Sequence, residues 1–479
     1  MTVGAARATR GAFARRSRVS TAPLTGDVVA FGVSVFVALE IGLAVTFEPA
    51  AALLPLALLG GLLLLVDARA RILFLVFGGL LTLQSSSGLG TLKLLYLAGV
   101  LVSFAGAFFR FSQSRDVSIR AFASPLLRVS VAMSILIAIS FLVAHDQGVL
   151  RVDWLRDVAP YVLFVVAPIF AIDAHWAFRR RGLTRLLVVA GLVATASFST
   201  HWLEQRHIAH LPFSQFALSS FFFPGALFAY ATASALHARE RRIRWLFLAA
   251  LVFSLLVVTG TRSTLILAVA PVVAAIAARR YLSARFIRLL LLAPAAVLVI
   301  AVAVFSVVQV THASTSMISK RITILKGTGT STDASYKDRQ AQTRAARDVF
   351  YAHPVFGSGP GTYFSWQMTG VGQRSDFIID SPLDFPAKFG LVGLAVIVFL
   401  VLEYGSFMKA AFRFDHPRPE TLAMAAFAAL AVLDSFLTNP LEDKGCTLGL
   451  VLLLALVFRT SGVQTRSHGE SEFPANAGA

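Results

Sequence analysis

Arg262 lies in a turn where a basic side chain could bind an anion at a membrane surface. The turn 259–264 reads Thr-Gly-Thr-Arg-Ser-Thr and separates two apolar runs, so it must lie close to that surface. Hydroxyl and amide donors beside a guanidinium favour recognition of a carboxylate or a phosphate. An ordinary basic turn is the alternative, although the other connectors on this predicted side mostly avoid basic residues.

Arg339 is the second candidate, in a predicted helix over 336–352 that a following proline terminates. At about 100° per residue, Arg339 shares a face with Ala346, whereas Lys337 and Arg344 point the other way. Arg339 is therefore predicted to lie on the buried stripe of this helix. A buried arginine requires an anionic partner, and that partner is either a structural carboxylate or a ligand.

A glycine-rich run, Gly357-Ser-Gly-Pro-Gly361, follows the predicted helix. Glycine allows close backbone approach and exposed amides, which makes Gly359 and Gly361 candidate substrate contacts. The run is not a nucleotide-binding P-loop, because no Gly-Lys-Ser/Thr follows it. A tight turn that returns the chain to the membrane is the alternative. His353, held by the following proline, is interpreted as structural.

Several other charged residues fall where charge is costly, within or beside apolar runs. Glu40 and Asp434 are predicted to lie inside membrane spans, where a structural pairing and a catalytic role are both open. Lys93 begins another span, and it could bind substrate or extend its amine toward the surface. Arg156 shares with Arg151 a connector typical of an interfacial helix, and Arg156 is also a candidate substrate contact.

The composition predicts a membrane protein, since 57% of the 479 residues are hydrophobic and only 14% are charged. The net charge of +18 arises from basic clusters between apolar runs. This is the positive-inside pattern, so nucleic acid is not an expected partner. The single cysteine, Cys446, excludes an internal disulfide and has no metal-spaced neighbours. Neither a metal nor another cofactor is predicted.

The apolar runs predict an all-α polytopic membrane protein of about fourteen transmembrane helices, within a range of about 12 to 14. The predicted spans begin near residues 27, 50, 72, 91, 126, 157, 184, 214, 245, 263, 287, 388, 420 and 446. Basic connectors alternate with basic-poor ones, which places both termini in the cytoplasm. The predicted boundaries are a basic cytoplasmic tail over 1–26, helices 1–11 over 27–309, an extracytoplasmic catalytic loop over 310–387, helices 12–14 over 388–459 and a cytoplasmic tail over 460–479.

The loop and the turn before it together resemble a known family. Arg339 is followed by His353-Pro354, then by Phe356-Gly-Ser-Gly-Pro-Gly-Thr-Tyr-Phe364, and then by Gly390-Leu-Val-Gly393 at the head of a helix. With the Gly260-Thr-Arg-Ser263 turn upstream, their order and spacing are similar to those of the O-antigen ligase and O-antigen polymerase superfamily. The resemblance covers roughly residues 254–399.

The resemblance implies a metal-independent, inverting glycosyltransferase of the C type at the outer face of the bacterial cytoplasmic membrane. Such an enzyme transfers or polymerises a glycan from a polyprenyl diphosphate, here undecaprenyl diphosphate, onto an acceptor hydroxyl in cell-surface polysaccharide biosynthesis. Carried over by position, Arg262 and Arg339 would bind the diphosphate and stabilise its leaving charge.

The family's ligases place a histidine shortly after the glycine-rich turn as the proposed base, and this chain departs from that pattern. The corresponding stretch reads Ile378-Ile-Asp-Ser-Pro-Leu383, so Asp380 becomes the candidate base. Orienting a sugar hydroxyl and capping the following helix are alternative roles for Asp380. Asp376 and Asp384 are nearby competitors.

The expected partners are a polyprenyl-diphosphate-linked glycan donor, a glycan or glycolipid acceptor, and the bilayer. Ligase and polymerase activities are not distinguished by these residues. A lipid-linked glycan flippase or exporter is the alternative from another class. A catalytically inactive envelope-assembly scaffold is a further alternative, because the histidine is missing. The distinctive residues fall on one predicted outer face, which favours an enzyme over a flippase.

Overall fold

The computed structural model describes residues 49–83, 91–114, 116–205, 220–237, 241–258, 266–267, 269–278, 334–368, 371–375, 381–412 and 418–471. Predictions at other positions lie outside the described residues, among them those for Glu40, Arg262, Asp376 and Asp380, and for the spans near 27 and 287. Residues up to Leu62 form one compact unit, and residues from Leu63 onward form another. The candidate site belongs to the second unit.

Helices make up the regular structure of the described residues before position 279. In chain order they are α1 Pro49–Val66, α2 Ala68–Leu73, a π-helix Phe74–Gly78, α3 Gly79–Thr82, α4 Thr91–Gln113, α5 Val117–Asp146, α6 Arg151–Ala177, α7 Arg180–Gln205, α8 Phe222–His237, α9 Arg242–Val258 and α10 Val269–Ala278. Asp116 caps α5 by accepting a hydrogen bond from the Ile119 amide at 3.2 Å.

The carboxyl-terminal part combines four helices with a hairpin. Its elements are α11 Ala334–Ala352, β1 Phe364–Met368, β2 Val371–Ser375, α12 Asp384–Ala411, α13 Pro419–Asp434 and α14 Lys444–Ser471. The strands pair antiparallel, with Phe364 opposite Ser375. The hairpin departs from the all-α prediction. Its Phe364 is fully buried in a small core with Ala346 of α11, so this helix supports the two short strands.

Five helices among the described residues are long and apolar enough to cross a membrane. They are Leu92–Gln113, Val117–Asp146, Arg151–Ala177, Arg180–His201 and Asp384–Ala411. Large apolar side chains such as Leu101 and Ile135 are more than half exposed, as suits contact with lipid. The prediction of a largely helical membrane protein is confirmed. The number of about fourteen spans and the extracytoplasmic placement of the loop stay predictions.

The main core is built around α8, in which every residue from 222 to 236 is buried. A helix that is apolar on all sides belongs inside a bundle. It packs against α9, α13 and α14, and α14 also packs along α6. Helix α12 packs along α5, which in turn packs against α6. These contacts hold α6, α12 and the turn before α14 in place, and these three carry the candidate site.

Buried charges identify the two ends of the bundle. At one end, the Arg71 guanidinium lies 2.8 Å from Asp173 Oδ2, and Arg110 Nη1 lies 3.1 Å from Asp173 Oδ1. Two connectors predicted to share a membrane side therefore meet at one end, where α4 and α6 finish. Lys93 and Asp153, near the starts of the same two helices, mark the other end.

Candidate functional site

Helix α12 is broken at Gly390, which has φ 62° and ψ −157°. These dihedrals lie in a region that is essentially restricted to glycine. A Cβ at this position would also approach the Val355 carbonyl and the Gly357 amide to less than 3.0 Å. The break separates a short segment, 384–389, from the long apolar part of the helix. It leaves backbone groups of α12 that need partners from elsewhere in the chain.

The glycine turn, defined here as residues 353–361, supplies those partners. Four backbone hydrogen bonds join the turn to the break, in two directions. They are Leu391 N–H to Pro354 O at 2.8 Å, Val392 N–H to Val355 O at 3.1 Å, Ser358 N–H to Ala387 O at 2.9 Å and Gly359 N–H to Lys388 O at 3.0 Å. The predicted close backbone approach of the glycine run is therefore present. The irregular backbone of residues 357–361 is buried against protein, and its polar groups are paired there.

Lys388, in the short segment of α12, is the centre of a buried ion cluster. Its Nζ lies 2.9 Å from Asp157 Oδ1 and 3.1 Å from Asp384 Oδ2. It also forms an ion pair with Glu442. All four side chains are at most 8% exposed. Desolvated charges of this kind persist only where opposite charges and hydrogen bonds compensate them.

Further hydrogen bonds connect the ion cluster to the elements around it. The Tyr161 hydroxyl donates to Glu442 Oε1 at 2.8 Å, and Asn439 Nδ2 donates to Tyr161 Oη at 2.8 Å. Asn439 Nδ2 also lies 3.2 Å from Asp384 Oδ2. The Gly361 amide donates to Asp157 Oδ2 at 2.7 Å. The cluster therefore joins α6, α12, the turn before α14 and the glycine turn.

Three carboxyl groups surround one ammonium in the ion cluster, which favours a bound proton on Glu442. Burial and, to a lesser extent, the Asp384 carboxylate raise the pKa of Glu442 to about 8, against the opposing effect of the Lys388 ammonium. The Glu442 and Asp384 carboxyl groups lie within hydrogen-bonding distance of each other. A proton on Glu442 at neutral pH can therefore be shared with Asp384.

The contribution of Glu442 to stability is expected to fall as the pH rises from about 5 to about 9. The folded chain keeps the Glu442 proton up to a pH of about 8, whereas the unfolded chain releases it near the ordinary pKa of 4.5. Folding therefore takes up a proton in this window, and the free energy of unfolding decreases with pH. The measurement is the melting temperature of the detergent-purified protein across the window.

The Glu442→Gln variant should have a smaller pH slope, because its side chain does not titrate. Glu403→Gln is the matched control. Glu403 does not belong to the ion cluster, and its carboxylate pairs with Arg128 at 2.5 Å. This control should keep the wild-type slope. A slope in Glu442→Gln equal to that of the wild-type protein would contradict the assigned proton.

A cleft of about 840 Å³ opens between the α5–α6 connector, the end of α11 and the glycine turn. Its polar lining includes the side chains of Gln147, Asp153, Asp348, His353, Ser358, Thr362 and Tyr363. Ser358 and Gly361 line the cleft and also hold the ion cluster in place through the bonds above. A polar cleft of this size suits a ligand rich in hydroxyl groups. His353, interpreted as structural from sequence, is one of the lining residues.

A cation group, defined as Lys93, Arg156 and Lys444, lies beside this cleft. Arg156 Nη2 is 3.3 Å from Asp153 Oδ1, and the Tyr363 hydroxyl donates to Asp153 Oδ2 at 3.2 Å. The charge of Arg156 acts on Lys93, and that of Lys93 acts on Lys444. Lys93 lies near the start of α4, Arg156 in the second turn of α6 and Lys444 at the start of α14. The two predicted substrate contacts, Lys93 and Arg156, thus lie within electrostatic range of each other, and their role stays a prediction.

Arg339 is half-buried on α11, next to the stripe that buries Ala346. Lys337 and Arg344 are exposed, as predicted from the helical periodicity. The neighbouring Asp338 accepts a hydrogen bond from Trp366 Nε1 at 2.8 Å, which holds the hairpin on the helix. The other predicted catalytic residues, at positions 262 and 380, lie outside the described residues.

The amides of Gly359 and Gly361 bond within the protein, to Lys388 O and to Asp157 Oδ2. The substrate-binding role predicted for these glycines therefore stays a prediction, and it cannot use those two N–H groups. Asp384, a competitor of Asp380 in the sequence, is fully buried beside Lys388. Asp434 is buried at the end of α13 and accepts a hydrogen bond from the Thr438 hydroxyl. This contact supports its structural interpretation.

Sequence reasoning missed most of the ion cluster. Asp157 and Lys388 lie near the beginnings of long apolar runs, where a charged residue is common at the start of a helix. The available signal was the spacing of Asp384 and Lys388, four residues apart at the head of an apolar helix, which puts opposite charges on one face. No local signal links either residue to Glu442.

The comparison with protein families agrees with this geometry. Residues 247–398 match the family described as O-antigen ligase. This segment is similar to O-antigen ligases, and it is called the O-antigen ligase-like segment below. The resemblance inferred from Arg339 and the glycine turn is thereby confirmed. No curated protein matches the chain.

The O-antigen ligase-like segment supplies only part of the site. It contains the glycine turn, the hairpin, Asp384 and Lys388, and it runs from α9 into α12. Asp157 and Glu442, which hold Lys388, lie outside the matched residues. The cation group also lies outside them. Helices before and after this segment therefore complete the site.

Proposed function

We propose that this protein is a glycosyltransferase that transfers or polymerises a glycan from a polyprenyl diphosphate carrier onto an acceptor hydroxyl. The reaction takes place at the outer face of the bacterial cytoplasmic membrane, in cell-surface polysaccharide biosynthesis. The observation that carries the proposal is the cation group beside a cleft that carries several polar side chains and has the glycine turn of the O-antigen ligase-like segment as one wall. An anionic carrier and a hydroxyl-rich acceptor require those two features side by side.

The cations match the chemistry of the donor. A diphosphate brings several negative charges to the membrane surface, and its charge as a leaving group grows when the glycosidic bond breaks. Lys93 and Lys444 lie in the first turns of their helices, where the helix dipoles add to their positive potential. Arg262 and Arg339 are proposed to complete the diphosphate site, as permanently charged forks that can contact two phosphate oxygens.

The cleft is proposed to hold the acceptor. Carboxylate, imidazole and hydroxyl groups from Asp153, His353 and Tyr363 can fix sugar hydroxyls by hydrogen bonds. Asp380 remains the proposed base, since an ionised carboxylate can take the acceptor proton during attack on the anomeric carbon. The reaction is proposed to invert the anomeric centre and to need no metal, with the diphosphate charge neutralised by side chains.

The Arg339→Ala variant is expected to lose about 100-fold or more in transfer rate, as when one preorganised charge-stabilising group is removed. The assay uses full-length protein in nanodiscs, a synthetic polyprenyl-diphosphate oligosaccharide and an acceptor glycan, with a chelator present. Arg344→Ala is the matched control, because Arg344 is exposed on the opposite side of the same helix. It should retain nearly wild-type activity.

Arg262→Ala and Asp380→Asn should lose transfer in the same assay, while all variants remain monodisperse. Equal activity in Arg339→Ala and Arg344→Ala would remove Arg339 from the mechanism. A protein that moves the lipid-linked glycan across liposome membranes without transferring it would instead be a flippase. Chelator-sensitive transfer would contradict the metal-independent part of the proposal.

A further inference from the structure

A second cavity, of about 800 Å³, lies at the end of the bundle opposite the cleft. It is bounded by the start of α7, by α8 and by the start of α9. Five arginines line it, namely Arg179, Arg180, Arg181, Arg185 and Arg241. We call this cavity the basic pocket. It shares no lining residue with the cleft of the candidate glycan site.

The charge of the basic pocket is only partly neutralised by the protein. Arg180 pairs with the buried Glu420 at 2.6 Å, which fixes its guanidinium at the pocket wall. The other four arginines form no ion pair with a carboxylate of the described residues. Helices α7 and α9 begin at Arg180 and Arg242, and their dipoles add positive potential. The pocket therefore presents a strong positive field with donors that match an anion.

The inner wall offers further hydrogen-bonding groups and a rigid aromatic. Tyr230 is 3% exposed, and its hydroxyl lies 3.1 Å from Thr184 Oγ1; both residues line the pocket. Trp245 packs edge-on against Tyr230, with ring centroids 5.6 Å apart. Tryptophan favours the level of the lipid headgroups, where an apolar ring and a polar group are both accommodated.

Apolar surface continues from the basic pocket along α7. Val189 and Val193, which follow Arg185 on the same face of this helix, are 52% and 41% exposed. A ligand with an anionic head and hydrocarbon tails can thus place its head among the arginines and its tails against these side chains. A small soluble anion would use only the first of the two surfaces.

We propose that the basic pocket binds the phosphate headgroup of an anionic membrane phospholipid, with phosphatidylglycerol as the representative ligand. Basic pockets between membrane helices recognise such headgroups through clustered arginines. Binding at this end would hold α7, α8 and α9 together, away from the glycan site. The proposal goes beyond glycan transfer and does not depend on it.

The test measures lipid binding by delipidated full-length protein in a neutral detergent. Phosphatidylglycerol is expected to raise the melting temperature and to remain bound in native mass spectra, whereas phosphatidylcholine is not. The Arg181→Gln/Arg185→Gln/Arg241→Gln variant should bind phosphatidylglycerol about tenfold more weakly or worse, since each arginine contributes to anionic-lipid affinity. The control Arg244→Gln/Arg344→Gln/Lys409→Gln removes three exposed charges that do not line the pocket and should bind as wild type does.

Competition with inorganic phosphate distinguishes a lipid headgroup from a free phosphate compound as the ligand. No competition by millimolar phosphate supports a lipid ligand, whereas full competition would make a free phosphate compound the ligand and overturn the lipid assignment. Equal binding of phosphatidylglycerol by the triple variant and the control would overturn the pocket altogether. If the triple variant is not monodisperse, Arg241→Gln alone decides, and unchanged lipid retention in it would also contradict the proposal.

Discussion

The Lys388→Met variant is expected to lose about 3 to 5 kcal/mol of unfolding free energy. Methionine fills a similar volume, so the change removes charge with little loss of packing. It leaves the carboxyl groups of Asp157, Asp384 and Glu442 buried without the ammonium that lies among them. Such groups must either take up protons or open the structure to water. The variant should therefore melt well below the wild-type protein in detergent and yield less monodisperse material.

Two comparisons make this expectation specific to the ion cluster. Lys409→Met changes an exposed lysine near the other end of the same helix and should leave the melting temperature nearly unchanged. Adding Asp157→Asn to Lys388→Met removes one uncompensated carboxylate and should restore part of the lost stability. Equal melting of Lys388→Met and Lys409→Met would mean that the ion cluster adds nothing to stability. A double variant less stable than Lys388→Met would contradict the charge-based explanation.

Local patterns in the sequence predicted the features that local physics determines. The helix predicted over 336–352 is observed as Ala334–Ala352, because its amphipathic period and the following proline act within a few residues. The exposed positions of Lys337 and Arg344 follow from the same period. The membrane class follows from composition, since no water-soluble fold could bury so much apolar surface.

Long-range pairing could not be predicted in this way. Lys388 bonds to Asp157 across 231 positions of sequence and to Glu442 across 54. Sequence alone identifies a charge in an apolar setting but not its partner, so Lys388 resembled an ordinary helix start. The hairpin was missed for a related reason. Its two strands have five residues each, and the packing of Phe364 on α11 stabilises them more than any strand-like pattern does.

The arrangement of the site follows from one structural requirement, which is to support a broken helix inside a membrane protein. The break at Gly390 exposes backbone groups, and the glycine turn bonds to them. The same turn bonds to Asp157 through Gly361 and forms one wall of the cleft. A change at the break should therefore be transmitted to the cleft through backbone contacts.

The Gly390→Ala variant tests this connection, and we expect it to be strongly destabilised. An alanine at φ 62° and ψ −157° is strained by about 1 to 3 kcal/mol. Its Cβ would also meet the Val355 carbonyl at less than 3.0 Å, so the glycine turn must move and lose hydrogen bonds to α12. The expected result is a lower melting temperature together with faster hydrogen exchange at the amides of Ser358, Gly359 and Leu391.

Gly405→Ala is the matched control, in the same helix and with the same added methyl group. A Cβ at Gly405 would meet nothing within 4 Å, and alanine favours a helix by about 1 kcal/mol over glycine. This variant should melt at or above the wild-type temperature, with unchanged exchange in the glycine turn. If both glycine variants behave alike, the backbone bonds at the break do not hold the turn. A stability loss in Gly390→Ala without faster exchange at residues 358–359 would show strain at the break that does not reach the cleft.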